Sequence, residues 1–210
     1  MPTREEVETQ RIKYARIKRE FIAEGNSYHD PAPLLPQELL EKCTLLQDRY
    51  AILERLPKNA VCAEIGTDRA NFARKILDIC SPKKLYIFEI DVSRIHRPNI
   101  DDAVKSSQCE VVEGDSGQNL EKFPSDFFDW IYIDGDHYYE GVKKDIELAA
   151  TKLKKGGLIV LNDYTVWSPV GMTHCGVARA VNEFCIENRY EFVFLAFQTM
   201  MYNDIAIRAA

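Results

Sequence analysis

The chain has 210 residues, of which 46% are hydrophobic, enough to bury one substantial core, so a single compact domain is the expectation. Twenty-seven basic against 33 acidic residues give a formal charge of -6, which argues against broad attraction to nucleic-acid phosphates or anionic membranes. The charged N-terminus has no signal-like apolar core and no later run reaches about 18 apolar residues, so a cytoplasmic protein without membrane partners is expected.

Residues 4–24 read as a helix, with Val7, Tyr14, Ile17 and Phe21 near one face and the basic run RIKYARIKR solvated. Glycine and three prolines in GNSYHDPAPLLP, residues 25–36, break that pattern. Leu39, Cys43, Leu46, Tyr50 and Leu53 then predict a second amphipathic helix. Residues 1–58 are accordingly expected to form a helical extension and 59–210 the main domain.

From residue 60 onward, short apolar runs alternate with helical stretches, the pattern of a parallel sheet covered on both faces. Strands are expected at AVCAEI, KLYIFE, CEVVEG, DWIYID and GLIVLND, and helices near 68–80, 100–107 and 138–153. The last helix turns Val142, Ile146, Ala149 and Leu153 toward the sheet and ends at LKKGG, with basic residues in its final turn and glycine beyond. The loop YTVWSPVGMTH leads to a helix around 176–188 and two strands, YEFVFLAFQ and MYNDIAIRA. Their link is too short for a crossover, so the sheet is expected to finish with one reversed strand. Cys43, Cys62, Cys80, Cys109, Cys175 and Cys185 include no CxxC pair, which suits reduced, packed thiols rather than zinc ligands or disulfides.

Ligands of open α/β sheets bind beyond the carboxyl ends of the strands. Here those ends are acidic in succession: Glu64, then Glu89 and Asp91, then Asp115, then Asp134 and Asp136, then Asp163. Each acid alone could be a helix cap, as Asp68 could be for the helix carrying Phe72 and Ile76. Together with Gly66, Gly114 and Gly135 at the turns, they predict a ligand site. A phosphate about 4 Å from a carboxylate loses roughly 4 kcal/mol at an effective dielectric near 20, which disfavours a nicotinamide dinucleotide. S-adenosylmethionine instead offers a sulfonium, an ammonium, ribose hydroxyls and an adenine amine to acidic acceptors.

From about Val61 to the C-terminal hairpin, the chain resembles the class I S-adenosylmethionine-dependent methyltransferases. IDGDHYYEGV followed by LKKGGLIVLNDY is similar to a small bacterial subgroup related to antibiotic-tailoring O-methyltransferases. The resemblance implies a Rossmann-like fold with a seven-stranded sheet in the order 3-2-1-4-5-7-6, the last strand antiparallel. In AEIGTDRANFA it implies that Glu64 anchors the loop and that the backbone at Gly66 and Thr67 meets the methionine part of the cofactor. Asp68 and Ala70 stand where the family commonly has further glycines. Glu89 matches the acid that grips the ribose hydroxyls, with Asp91 as the alternative, and Asp115 and Ser116 match the adenine-contacting pair.

Asp134 would then lie beside the methionine end, with His137 facing the acceptor. His137 is a candidate general base for an oxygen acceptor, or else a polar residue at the helix N-terminus satisfied by Asp134 or Asp136. His174 is a second base candidate, Tyr138 and Tyr139 suit packing or a pocket wall, and Trp167 could line the acceptor pocket. Some relatives bind a divalent cation, which would map to Asp134 and Asp163 with Asn162 alongside and suit magnesium. A methyltransferase acting on a small molecule at oxygen is thus the leading expectation, with the helical extension covering the acceptor or mediating a homodimer. A nucleotide-dependent oxidoreductase and a non-catalytic binding module on the same fold are the alternatives.

Overall fold

The computed structural model describes residues 3–24, 32–170 and 173–210. The expected break at 25–36 falls partly outside them, as do two residues of the 164–175 loop. Helix α1 (Arg4–Ala23) starts where it can be capped: the Thr3 side chain accepts from the Glu6 amide while the Glu6 carboxylate accepts from the Thr3 amide. No residue of α1 is buried, but Tyr14, Ile17 and Phe21 are half-covered, as their shared face predicts.

The second amphipathic helix expected over Leu39–Leu53 is not formed as one element. Gln37–Leu39 is a single 3₁₀ turn, Thr44–Leu46 is a strand, β1, and only Arg49–Arg55 is helical, as α2. The physical reason lies at both ends. The Asp48 carboxylate accepts from the Ala51 amide at 2.9 Å and starts the helix there. Upstream, Thr44–Leu46 pairs in parallel with Phe194–Ala196 and covers a sheet edge that would otherwise present unpaired backbone groups.

The main domain follows the expected alternation: β2 (Val61–Ile65), α3 (Asn71–Cys80), β3 (Lys84–Glu89), α4 (Asp101–Lys105), β4 (Cys109–Glu113), α5 (Ser116–Glu121), β5 (Phe128–Ile133), α6 (Tyr139–Lys152) and β6 (Leu153–Leu161). A short hairpin, β7 (Trp167–Ser168) and β8 (Thr173–His174), precedes α7 (Val177–Asn188), β9 (Tyr190–Phe197) and β10 (Asn203–Ala209). Leu153 begins β6 rather than ending α6. The pairing of β5 with β6 jumps from Phe128–Leu153 to Trp130–Leu158, so the KKGG segment is accommodated as a bulge.

The sheet runs β1-β9-β10-β6-β5-β2-β3-β4, with β10 antiparallel to both neighbours and the other pairs parallel. Without β1, this is the seven-strand order implied by the resemblance. Each face buries one apolar layer. Ile52 and Leu53 of α2 with Phe72 and Ile76 of α3 cover one face, and Val142 and Ile146 of α6 with Val181 and Phe184 of α7 cover the other. All six cysteines are free thiols, five of them buried.

Candidate active site

Because β2, β3, β4, β5 and β6 are parallel, their carboxyl ends share one edge, and the ladder continues one residue past several of them. Gly66 N–H donates to the Phe88 carbonyl (2.8 Å), Gly114 N–H to Glu89 (2.9 Å), Asp134 N–H to Ile65 (2.8 Å) and Asn162 N–H to Ile133 (3.0 Å). The loops that carry the acids are therefore fixed by the sheet itself. They enclose a cleft of about 520 Å³ whose walls include Gly66, Glu89, Asp115, Ser116 and Asp134. Glu64 and Thr67, from the same expected set, are not among its lining residues.

Gly66 has φ +76°, and a Cβ there would stand 2.4 Å from the Asp134 carbonyl oxygen. Only glycine permits this approach of two backbones. The loop continues with Asp68 at φ +48° and Ala70 at φ +57°, so two non-glycine residues adopt the left-handed conformation that glycine adopts freely. Glu89 compensates: its Oε2 accepts from the Thr67 and Asp68 amides, each at 2.9 Å, and its Oε1 from Asp91 N–H at 3.2 Å. The acid matched to ribose binding thus also holds the loop matched to the methionine part.

Asp115 caps α5 by accepting from Gln118 N–H at 2.8 Å, and that bond, ahead of the ion pair with Lys144, holds its carboxyl below the usual range. The Ser116 hydroxyl donates to Asp145 at 2.8 Å. Two cations absent from the sequence-based expectation stand in the cleft wall: Arg94, paired with Asp68 at 2.5 Å, and Lys144, 3.4 Å from Asp115.

Glu64 and Asp204 are buried more deeply than the acids of the cleft wall. Glu64 is 1% exposed; its Oε2 accepts from the Thr67 hydroxyl at 2.6 Å, while its Oε1 has no hydrogen-bond partner. Burial pushes its carboxyl up to about 8, against the pull of the Thr67 bond and the Arg49 charge. Asp134 is held well above the ordinary carboxylate range by burial and by Glu64, Asp204 and Asp163, and burial also raises Asp163. The opposing charge is Arg49, whose guanidinium lies 4.5 Å over the Phe72 ring and attracts Asp204 and Asp134. Asp204 is fully buried, accepts from the Tyr132 hydroxyl at 2.5 Å and from the Asn162 amide at 3.1 Å, and is pushed by burial up to about 6.

His137 is not among the cleft-lining residues and sits between two of these acids, Asp134 and Asp163. Its Nε2 is 3.6 Å from both Asp134 Oδ1 and Asp163 Oδ2; it is buried and makes no hydrogen bond. Asp136, the other acid considered as its partner, instead accepts from Tyr138 N–H at 2.9 Å. His174 is placed elsewhere, in an aromatic cluster with α1: its ring stacks on Phe21 at 4.7 Å and meets Trp167 edge-on at 5.4 Å, while Tyr14 meets Trp167 at 4.9 Å. Tyr139 hydrogen-bonds Glu183 under the Arg179 guanidinium and packs between helices, and Tyr138 is exposed.

The residues implied for magnesium lie together at the ends of β5 and β6, where Asp134 Oδ1 and Asp163 Oδ2 are each 3.6 Å from His137 Nε2 and the Asn162 side-chain N–H donates to Asp204. Among the described residues no group of three His, Cys, Asp or Glu side chains is placed to hold a metal ion. The unpartnered Glu64 Oε1 and the acid-lined cleft suit a ligand that brings cationic and hydrogen-bond-donating groups.

Sequence signals for Arg49 and Asp204 existed. Asp48 marks a helix start, so Arg49 is a cation at a helix N-terminus, where the macrodipole disfavours it unless nearby acids use the charge. Asp204 is a carboxylate inside an apolar strand, on the face opposite Ile205 and Ile207.

Comparisons with known proteins agree with this fold. Residues 63–164 match the family model described as "Methyltransferase domain". No curated protein matches the chain. Among solved structures, the pyocyanin biosynthetic protein PhzM is 14% identical with a TM-score of 0.58, over 77% of this chain but only 54% of its own. An O-methyltransferase from Bacillus cereus, solved with SAH, is 18% identical with a TM-score of 0.57, over 93% of this chain and 90% of that one. A Klebsiella pneumoniae protein described as an O-methyltransferase is 20% identical with a TM-score of 0.59, over 93% and 89%. At these identities the likeness to solved structures is one of fold.

Proposed function

We propose that this methyltransferase-domain enzyme uses S-adenosylmethionine to methylate a small-molecule acceptor at oxygen, with His137 as the general base. The observation that carries the proposal is the pairing of an acid-lined cleft with a buried imidazole nitrogen that makes no hydrogen bond and is equidistant from two carboxylates. The cofactor, when bound, supplies a methyl group already activated on a sulfonium.

The chain's own residues do the rest. Glu89, at the end of β3, is an acceptor for ribose hydroxyls, and Asp115 and Ser116 flank the adenine end of the same cleft. Glu64 and Asp134 supply negative charge at the methionine end, next to the Gly66–Thr67 backbone. Alignment of donor and acceptor removes most of the entropic barrier. His137 then takes the acceptor's proton, and Asp134 and Asp163 stabilise the imidazolium that results. Helix α1, resting on the β7–β8 hairpin through Tyr14 and Phe21, roofs the acceptor side. The O-methyltransferase descriptions of two structural neighbours support an oxygen acceptor.

Calorimetric titration with S-adenosylmethionine, S-adenosylhomocysteine and NAD, each with magnesium and with a chelator, tests the proposal. Saturable binding of the first two, insensitive to the chelator, is expected. Binding of NAD with no heat from S-adenosylmethionine would overturn it.

A further inference from the structure

Gly176, the residue before α7, has φ -87° and ψ -4°, the conformation of the third residue of a type I turn, which does not require glycine. Its glycine identity therefore answers to space. A Cβ at 176 would stand 2.3 Å from the Tyr139 amide nitrogen and 2.4 Å from Tyr139 Cα, both backbone atoms that cannot swing aside. What the close approach gains is a hydrogen bond from Gly176 N–H to the His137 carbonyl oxygen at 2.8 Å. The preceding residue does the same for the facing loop, since Cys175 Sγ donates to the Asp163 carbonyl oxygen at 3.4 Å. One dipeptide thus ties down the two loops whose side chains meet at His137 Nε2.

We propose that Gly176 is a positioning residue for the general base, acting through the 137–139 backbone to hold the His137 imidazole midway between Asp134 and Asp163. This rests on the proposed role of His137 and deepens it. A methyl group at 176 needs roughly 1 Å of extra room, and a misplacement of that size can cost about 10²-fold in turnover. Gly176 is not part of the cofactor cleft, so cofactor affinity has no reason to follow.

The test compares histidine ring resonances in wild type and Gly176→Ala by NMR, with the His137 signal identified by its loss in His137→Gln. The His137 signal is expected to move while the His96 signal stays, with S-adenosylhomocysteine affinity within about twofold of wild type. An unmoved His137 signal in a folded variant, or cofactor affinity falling by tenfold or more, overturns the inference. Should the variant fail to fold, amide exchange in the wild type decides: strong protection of Gly176 N–H supports the tether, and unprotected exchange refutes it. Failure of the wild type to bind S-adenosylhomocysteine would instead sink the function on which the inference rests.

Discussion

Glu64 supplies a measurable consequence of burying acids before their ligand arrives. With its carboxyl pushed up to about 8, roughly nine molecules in ten carry a proton there at pH 7. A cationic group brought into the cleft in front of Glu64 favours its carboxylate and draws the group back toward its ordinary 4.5. Binding should therefore expel about 0.9 proton, against an uptake of only about 0.1 by the ligand's own α-amino group at that pH. Calorimetry of S-adenosylmethionine binding at pH 7 in phosphate and in Tris reads this directly, because the observed enthalpy shifts with buffer ionisation enthalpy in proportion to the protons released. Glu64's share of the release should be lost in Glu64→Gln and fade above pH 9, leaving only what Asp134 and its neighbours contribute. Between pH 6 and 8 the affinity should rise with pH by up to about tenfold per unit, as linkage requires. Identical wild-type enthalpies in the two buffers would refute the reasoning. The same group fixes a sign for stability. Its folded-state pKa is raised, so its unfavourable contribution grows as pH climbs from 4.5 to about 8, where it reaches about 5 kcal/mol in the ligand-free protein.

His137→Ala should leave S-adenosylhomocysteine affinity near wild type and slow turnover by about 10² to 10⁴. Retained turnover, measured with any accepted hydroxyl compound, would remove the base. Gly66→Ala combines a left-handed φ with a 2.4 Å overlap against the Asp134 carbonyl and should cost about 2–4 kcal/mol in urea unfolding. A loss under about 0.5 kcal/mol would mean that the 66 and 134 backbones are not pressed together.

The core sheet was legible because each parallel strand is a short apolar run closed by an acid or glycine, and that punctuation survives in a single sequence. AVCAEI, KLYIFE and CEVVEG differ from the observed strands by at most one residue. What failed was local helix periodicity where a tertiary contact competed with it. The Leu39–Leu53 spacing satisfies a helix, yet Thr44–Leu46 lies against the open side of β9 and gains a ladder instead. The same limit separates the site's acids from their counter-ion. The acids announce themselves at strand ends, whereas Arg49 reaches them from α2 across a gap in sequence that no spacing rule spans. His137 was identifiable as a candidate from its place three residues after Asp134 at a strand end, but its relation to Asp163 depends on how the loop after β6 folds back through Cys175 and Gly176.

Arg49 also explains why so many carboxylates can share one edge without unfolding it. Glu64, Asp134, Asp163 and Asp204 are each shifted toward the neutral form by burial, and Arg49 opposes the shift at all four. One guanidinium cannot neutralise four acids, so part of the cluster is held protonated in the ligand-free protein, and the price of ionising it is met only when a ligand brings positive charge. A phosphate-bearing nucleotide would add to the repulsion, whereas a sulfonium and an ammonium relieve it. The proposed preference of the site for a cation-bearing nucleoside thus follows from leaving these acids under-compensated. A second arginine placed there would be expected to stabilise the empty protein while weakening its hold on that class of ligand.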